Sequence, residues 1–189
     1  MQRVMYFDQT HCTGCFACEV ACKDWHDIPA GPAKWIWITT NERGIYPRLH
    51  VSFLIHLCNH CVEPNCAVVC PVRAITKRKE DGFVVVDTKK CVGRNVCQGL
   101  CLKACPYKAP QFGAEQNPRM QKCHFCLERW KEGKKPICVA SCPTRALDAG
   151  TVEEICKKYG KTNTAEGFKY SSKLKPAIFF KSKNYKGAS

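Results

Sequence analysis

Sixteen of the seventeen cysteines in this chain fall into four runs of four, and their spacing constrains the fold more than any other feature. The first run is Cys12-x2-Cys15-x2-Cys18-x3-Cys22. The second is Cys58-x2-Cys61-x4-Cys66-x3-Cys70, followed by Pro71. The third is Cys91-x5-Cys97-x3-Cys101-x3-Cys105, followed by Pro106, and the fourth is Cys123-x2-Cys126-x11-Cys138-x3-Cys142, followed by Pro143. Cys156 stands outside every run. Disulfides, zinc and iron–sulfur clusters all use cysteine, so spacing has to decide among them. A disulfide framework has no need of paired two-residue gaps, and 189 residues is long for one. Four sets of four plus one leftover is the arithmetic of metal ligation.

Two-residue gaps let one tight loop aim three thiolates at one face of an iron–sulfur cubane. A fourth cysteine four residues on begins a helix and points away, toward a second cluster. This is the ferredoxin ligand run, with its crossed fourth ligand. The first run lacks the usual following proline and has Lys23 instead. The third run is irregular, spanning fourteen residues from first to last cysteine where the first spans ten, and Arg94 stands at the regular second-cysteine position. Gly93 and Gly99 allow the longer loop to fold around a cluster. All four of its cysteines remain, which favours an intact cubane; a three-iron or absent cluster is the alternative. The fourth run taken alone also fits a zinc site, but beside three ferredoxin runs and ending in Cys-Pro it reads as a cluster site. Cys156 reads as a packed thiol.

Charge fits the same picture. Thirty Lys and Arg against sixteen Asp and Glu give a formal +14, with cysteine counted as neutral. Four cubanes held by sixteen thiolates, each unit at about −2, bring the total to about +6. Much of the basic excess is then internal compensation, and the nucleic-acid reading of a high pI loses most of its force. Residues 1–8 lack the charged-then-apolar pattern of a signal peptide. No apolar run approaches the ~20 residues of a membrane span. The expectation is a soluble chain with no transmembrane segment and no signal peptide of its own.

Between the runs the elements read as short. Val4, Tyr6 and Phe7 suggest a strand into the first loop, and residues 17–25 a helix leaving it, broken by residues 27–32. Trp35 to Ile38 and residues 50–57 suggest two strands joined by a loop containing Asn41, Gly44 and Pro47. Both tryptophans read as core packing, with cluster shielding as the sharper reading. Residues 74–76 and 83–87 form a β-hairpin about Asp81-Gly82, on which Lys77, Arg78 and Lys79 are expected to be a solvated face. The gap inside the fourth run holds a helix start and a turn. Thr151 and Glu154 form a capping box opening a helix that Gly160 ends. From Lys161 onward there are seven lysines and one acid, with a short strand over residues 176–180 that packs along the body or a partner. The six histidines show no paired ligand spacing. His60 and His124 adjoin run cysteines, where hydrogen bonding to cluster sulfur competes with a plain surface role.

The stretches CTGCFACEVACKDWHDIP, CNHCVEPNCAVVCPVRAI, KRKEDGFVVVDTKKC, ACPYKAPQFG and KKPICVASCPTRALDAG resemble the four-cluster iron–sulfur subunit of the dimethyl-sulfoxide-reductase, or molybdopterin oxidoreductase, family. The resemblance covers roughly residues 4–181. It implies an α+β fold of two interleaved ferredoxin-like modules with short strands and helices around four [4Fe-4S] clusters. The first module would comprise 1–57 with 111–150, the second 58–110, and 151–189 would form a C-terminal helix and basic docking tail. Crossed ligation carried over from the family gives cluster one Cys12, Cys15, Cys18 and Cys142. Cluster two takes Cys22, Cys123, Cys126 and Cys138. Cluster three takes Cys58, Cys61, Cys66 and Cys105, and cluster four Cys70, Cys91, Cys97 and Cys101.

The function implied is relay of single electrons to or from a large molybdenum or tungsten bis-pterin catalytic subunit in anaerobic respiration, not bond chemistry. The chain has no nucleophile–base constellation, and a cluster with four cysteine ligands has no open iron for substrate. A separate membrane-anchor subunit or a soluble redox carrier would be the other partner. The chain would be cytoplasmic, or carried across a membrane with a signal-bearing partner. A free-standing polyferredoxin and a multi-zinc module are the competing readings, and the insertion over residues 25–57 and the basic tail argue for docking surfaces instead.

Overall fold

The longest helix in the computed structural model, which describes residues 1–185, has nine residues. Order therefore rests on three small sheets and on the loops that carry the cysteines. In the first sheet β1 (Arg3–Asp8) lies between β6 (Leu147–Thr151) and β7 (Ile178–Lys181). It pairs antiparallel with β6, from Arg3 opposite Thr151 to Phe7 opposite Leu147, and parallel with β7, from Met5 opposite Ile178. Alternation along β1 sends Met5 and Phe7 into the main core with Leu147, Ala149, Ile178 and Phe180. Val4 and Tyr6 face the other way, against Ile155, Ala177 and Phe179. Both faces are covered, which is why β1 has no polar face.

The second sheet is an eight-residue antiparallel hairpin of β2 (Ile36–Arg43) and β3 (His50–Leu57), with Ile36 opposite Leu57 and Arg43 opposite His50. The expected strand therefore starts one residue after Trp35 and runs on past Ile38. Asn41, expected in the loop, pairs with Ser52 inside the ladder, because register with the long β3 carries β2 onward. The turn does hold Gly44, at φ 87, where a Cβ would collide with the Arg48 carbonyl oxygen. Trp35 packs against the main core, and its indole donates to Gln121 Oε1 at 2.9 Å.

The third sheet is the expected hairpin, β4 (Ile75–Lys77) and β5 (Val84–Val86), turned by Asp81, whose Oδ1 accepts from the Phe83 amide at 2.9 Å. Lys79 is exposed as expected, but Lys77 is not part of a solvated face. Its Nζ donates to the carbonyls of His60 (3.0 Å) and Cys61 (2.8 Å), to Gln2 Oε1 (2.8 Å) and to the Gly82 carbonyl.

Short helices follow the cysteine loops. These are α1 (Ala17–Trp25), α2 (Asn65–Val68), α3 (Arg94–Cys97), α4 (Leu100–Lys103), α5 (Leu127–Lys131) and α6 (Ile137–Ala140). The last, α7 (Val152–Tyr159), opens with the complete Thr151–Glu154 capping box and ends at Gly160. The basic tail packs back on the body. β7 joins the first sheet, and buried Glu166 takes Arg43, His50 and Ser52 as partners. Lys186, the last of its seven lysines, lies outside the described residues.

Candidate metal centres

β1 delivers the polypeptide into the first cysteine loop. Gly14, at φ 68, turns it beneath the ring of Phe53, and Phe16 in the left-handed region ends the loop and starts α1. A void at this point is lined by Cys12, Cys15, Cys18 and Cys142, with Phe7, Ile38 and Leu147 behind them. Cys142 reaches it from the end of the fourth run, because β6 lies beside β1. Burial pushes the Cys18 thiol up to about 12, and neighbouring Cys12 and Cys142 add to the rise. Burial also raises Cys12, with Cys142 and Cys15 adding.

Cys22, one helical turn beyond Cys18, turns to the other three cysteines of the fourth run. Burial raises its thiol to about 12, and Cys126 adds more to the rise than any other thiol. Burial holds Cys123 and Cys138 well above the ordinary thiol range, each pushed further by Cys126 and Cys22. Backbone amides aim at these sulfurs: Phe125 N donates to Cys123 Sγ at 3.4 Å and Ile137 N to Cys126 Sγ at 3.5 Å. His26 Nε2 lies 3.3 Å from Cys126 Sγ. Spacing along the sequence assigns His26 no role, since a hundred residues separate it from that cysteine. Its neighbour His124 packs edge-on to it, and burial keeps both rings' pKa values low, that of His26 at about 4. His60, for which a surface role stood open, is fully buried. Its Nδ1 accepts from the Val84 amide at 2.9 Å, which leaves the proton on Nε2, a buried atom with no partner among the described residues.

In the second run Cys61 and Cys66 are raised to about 12 by burial, then by Cys58, with Cys105 contributing to both. A second void is lined by Cys70, Cys91, Cys97 and Cys101, with Ile75, Phe112 and Met120. Burial raises Cys101 to about 11, and Cys97, Cys91 and Cys70 all contribute. The irregular third run therefore delivers its thiols despite its length. Gln98 and Gly99, both at positive φ, fold the extra residues into the break between α3 and α4. Arg94, in place of a cysteine, opens α3 and sets its guanidinium over Phe112. Ala74 N donates to Cys70 Sγ at 3.3 Å and Met120 N to Cys91 Sγ at 3.4 Å.

Neighbouring sets also feel one another. Cys18 acts on Cys138, Cys58 on Cys123, and Cys101 on Cys66. This donor chemistry fits iron–sulfur clusters. Each group offers four soft sulfurs and several carry amide donors. Thiols crowded and buried this deeply ionise only against a positive metal core, which also ties the loops together. Cys156 has no such company. It packs with Val4, Tyr6 and Ile155 on α7.

Comparison with known proteins agrees with this donor set. The 4Fe-4S dicluster domain family matches residues 49–152. The B subunit of anaerobic dimethyl sulfoxide reductase from Escherichia coli is 41% identical over 183 residues, covering 93% of this protein and 86% of that one. The thiosulfate reductase electron transfer subunit of Salmonella typhi is 37% identical, covering 81% and 78%. The formate dehydrogenase iron-sulfur subunit of Wolinella succinogenes is also 37% identical, covering 79% and 82%. The chain thus belongs to the family of iron–sulfur electron-transfer subunits that serve these oxidoreductases.

Proposed function

We propose that this chain relays single electrons through four [4Fe-4S] clusters to or from a large catalytic subunit carrying a molybdenum or tungsten bis-pterin. The ligand sets are Cys12, Cys15, Cys18 and Cys142; Cys22, Cys123, Cys126 and Cys138; Cys58, Cys61, Cys66 and Cys105; and Cys70, Cys91, Cys97 and Cys101. The modules interleave, with 1–57 and 111–150 forming one, 58–110 the other, and 151–189 a docking tail. The supporting observation is the order in which the thiol groups come near enough to act on one another's charge: Cys18 on Cys138, Cys58 on Cys123, Cys101 on Cys66. A single file of one-electron centres is what a relay requires.

The clusters, when bound, supply reversible one-electron chemistry. The chain supplies everything else. Its amides and His26 stabilise thiolate charge at Cys70, Cys91, Cys123 and Cys126, and its aromatic and aliphatic side chains keep water off the sulfurs. Relatives named as subunits of reductases and dehydrogenases support a catalytic partner. Among the described residues no helix is long and apolar enough to cross a membrane. The far end of the relay would therefore meet a separate membrane-anchor subunit or a soluble carrier. The complex would work in the cytoplasm or be exported with a signal-bearing partner.

Anaerobic purification from the native host tests this reading. The expected result is close to sixteen iron and sixteen acid-labile sulfide per chain, about four per cubane, with a molybdenum or tungsten protein co-purifying. Iron near twelve would remove the third-run cluster. Zinc without sulfide, or a chain that purifies alone, would overturn the relay subunit.

A further inference from the structure

Lys122 is 1% exposed. Its Nζ donates to the Cys123 carbonyl at 3.0 Å and to the Val84 carbonyl of β5. Its partners are carbonyls alone: none of the ion pairs among the described residues includes it. An ammonium buried without a counter-charge costs several kcal/mol, so negative charge must reach it from elsewhere.

The thiols provide that charge. Val84, whose carbonyl accepts from Lys122, gives its amide to His60 Nδ1 at 2.9 Å, and His60 stands between Cys58 and Cys61 in the second-run loop. A second ammonium serves the same group. Lys77 Nζ binds the carbonyls of His60 (3.0 Å) and Cys61 (2.8 Å), inside the second-run loop. His60, fully buried, offers its carbonyl to Lys77 and its Nδ1 to the Val84 amide, and carries the unpartnered Nε2 proton. The other groups lack this arrangement. Among the described residues Lys122 is the one lysine that is buried.

We propose that Lys122, supported by Lys77, is the positioning charge for the cluster of Cys58, Cys61, Cys66 and Cys105, making it the preferred resting place for an electron crossing between the two modules. The proposal rests on the ligand sets proposed above. Reduction adds one negative charge to a cluster, breaks no bond and takes its electron from the neighbouring centre in the file. A fixed positive charge roughly 10 Å away, at an effective dielectric near 20, is worth roughly tenfold in the reduced-to-oxidised ratio.

The test is an anaerobic redox titration of the whole complex, followed by paramagnetic resonance. In Lys122→Met, one cluster should lose about tenfold in that ratio, about 59 mV for one electron. That cluster should be the one whose signal Cys61→Ser removes. Lys122→Arg should hold the native value, and Lys77→Met should shift the same cluster in the same direction by less. A merely structural lysine would lower iron content or stability and leave the midpoints unmoved. An iron-replete Lys122→Met with four native midpoints overturns the proposal, as does a largest shift in the Cys126→Ser signal. If Lys122→Met fails to load iron, Lys77→Met decides: a shifted midpoint sustains the proposal and a native one overturns it. Sixteen iron with four resolved signals tests the ligand reading separately.

Discussion

Asp148, in β6, is ringed by cations, whereas Lys122, held by the Val84 and Cys123 carbonyls, meets no acid among the described residues. The Asp148 carboxylate accepts from Lys135 Nζ, Lys158 Nζ (3.0 Å), Tyr159 Oη (2.8 Å) and the Ala149 amide (2.8 Å). Burial alone would raise its pKa, but those donors outweigh burial and bring it to about 2. Lys122 is as deeply buried and has two carbonyls. The difference teaches where the charge balance of each region is kept. Around the first sheet the protein neutralises its buried charge with its own side chains. Around the second run the protein leaves its cations open to charge that arrives with the clusters.

That contrast can be broken by substitution, and the largest effect belongs to Asp148. Asp148→Asn should cost about 2 kcal/mol, from a pKa of about 2 folded against about 3.9 unfolded. Because the folded value is depressed, the contribution is complete above about pH 4 and lost as pH falls through about 2. Melting of wild type and variant complexes should therefore differ by a constant amount from pH 7 down to about 4. A gap that closes by pH 5 would mean the cations do not hold the carboxylate ionised.

The redox state sharpens the contrast further. Asp148→Asn should destabilise oxidised and reduced complexes equally. Lys122→Met should destabilise the reduced complex by about 1.4 kcal/mol more than the oxidised one, the equivalent of a tenfold shift in the one-electron equilibrium. Equal melting losses in both redox states would place Lys122 with Asp148, as a charge balanced within the protein. The smallest effect is expected at Cys156, on the helix that supplies Lys158 and Tyr159. Cys156→Ser should leave iron content unchanged and alter stability by less than about 1 kcal/mol. Loss of about four iron would show that the self-balanced region holds a cluster after all.

The local elements were legible because their signals are local. The Ala17–Trp25 helix, the His50–Leu57 strand, the hairpin about Asp81 and the Thr151–Glu154 box follow from periodicity, turn chemistry and capping within a few residues. Asn41 reads as loop because its strand is set by register with Ser52, a partner beyond the turn. The buried polar groups were illegible for a related reason. Lys77 reads as solvated until His60 and Cys61 are brought to it, and nothing in the sequence marks Lys122 until β5 covers it. His26 finds Cys126 only because α1 packs beside the fourth run. Cysteine spacing names the thiols of each loop, but the fourth member of each proposed set comes from a distant run.

Crossed ligation is therefore the claim to test most directly, by paramagnetic resonance of reduced Cys142→Ser, Cys15→Ser, Cys22→Ser and Cys126→Ser complexes. Cys142→Ser should perturb the same cluster signal as Cys15→Ser, and Cys22→Ser the same signal as Cys126→Ser, since Cys142 lines the void of the first loop and Cys22 faces Cys126. If Cys142→Ser instead altered the signal lost in Cys126→Ser, ligation would be sequential within each run, and the interleaved modules would be wrong.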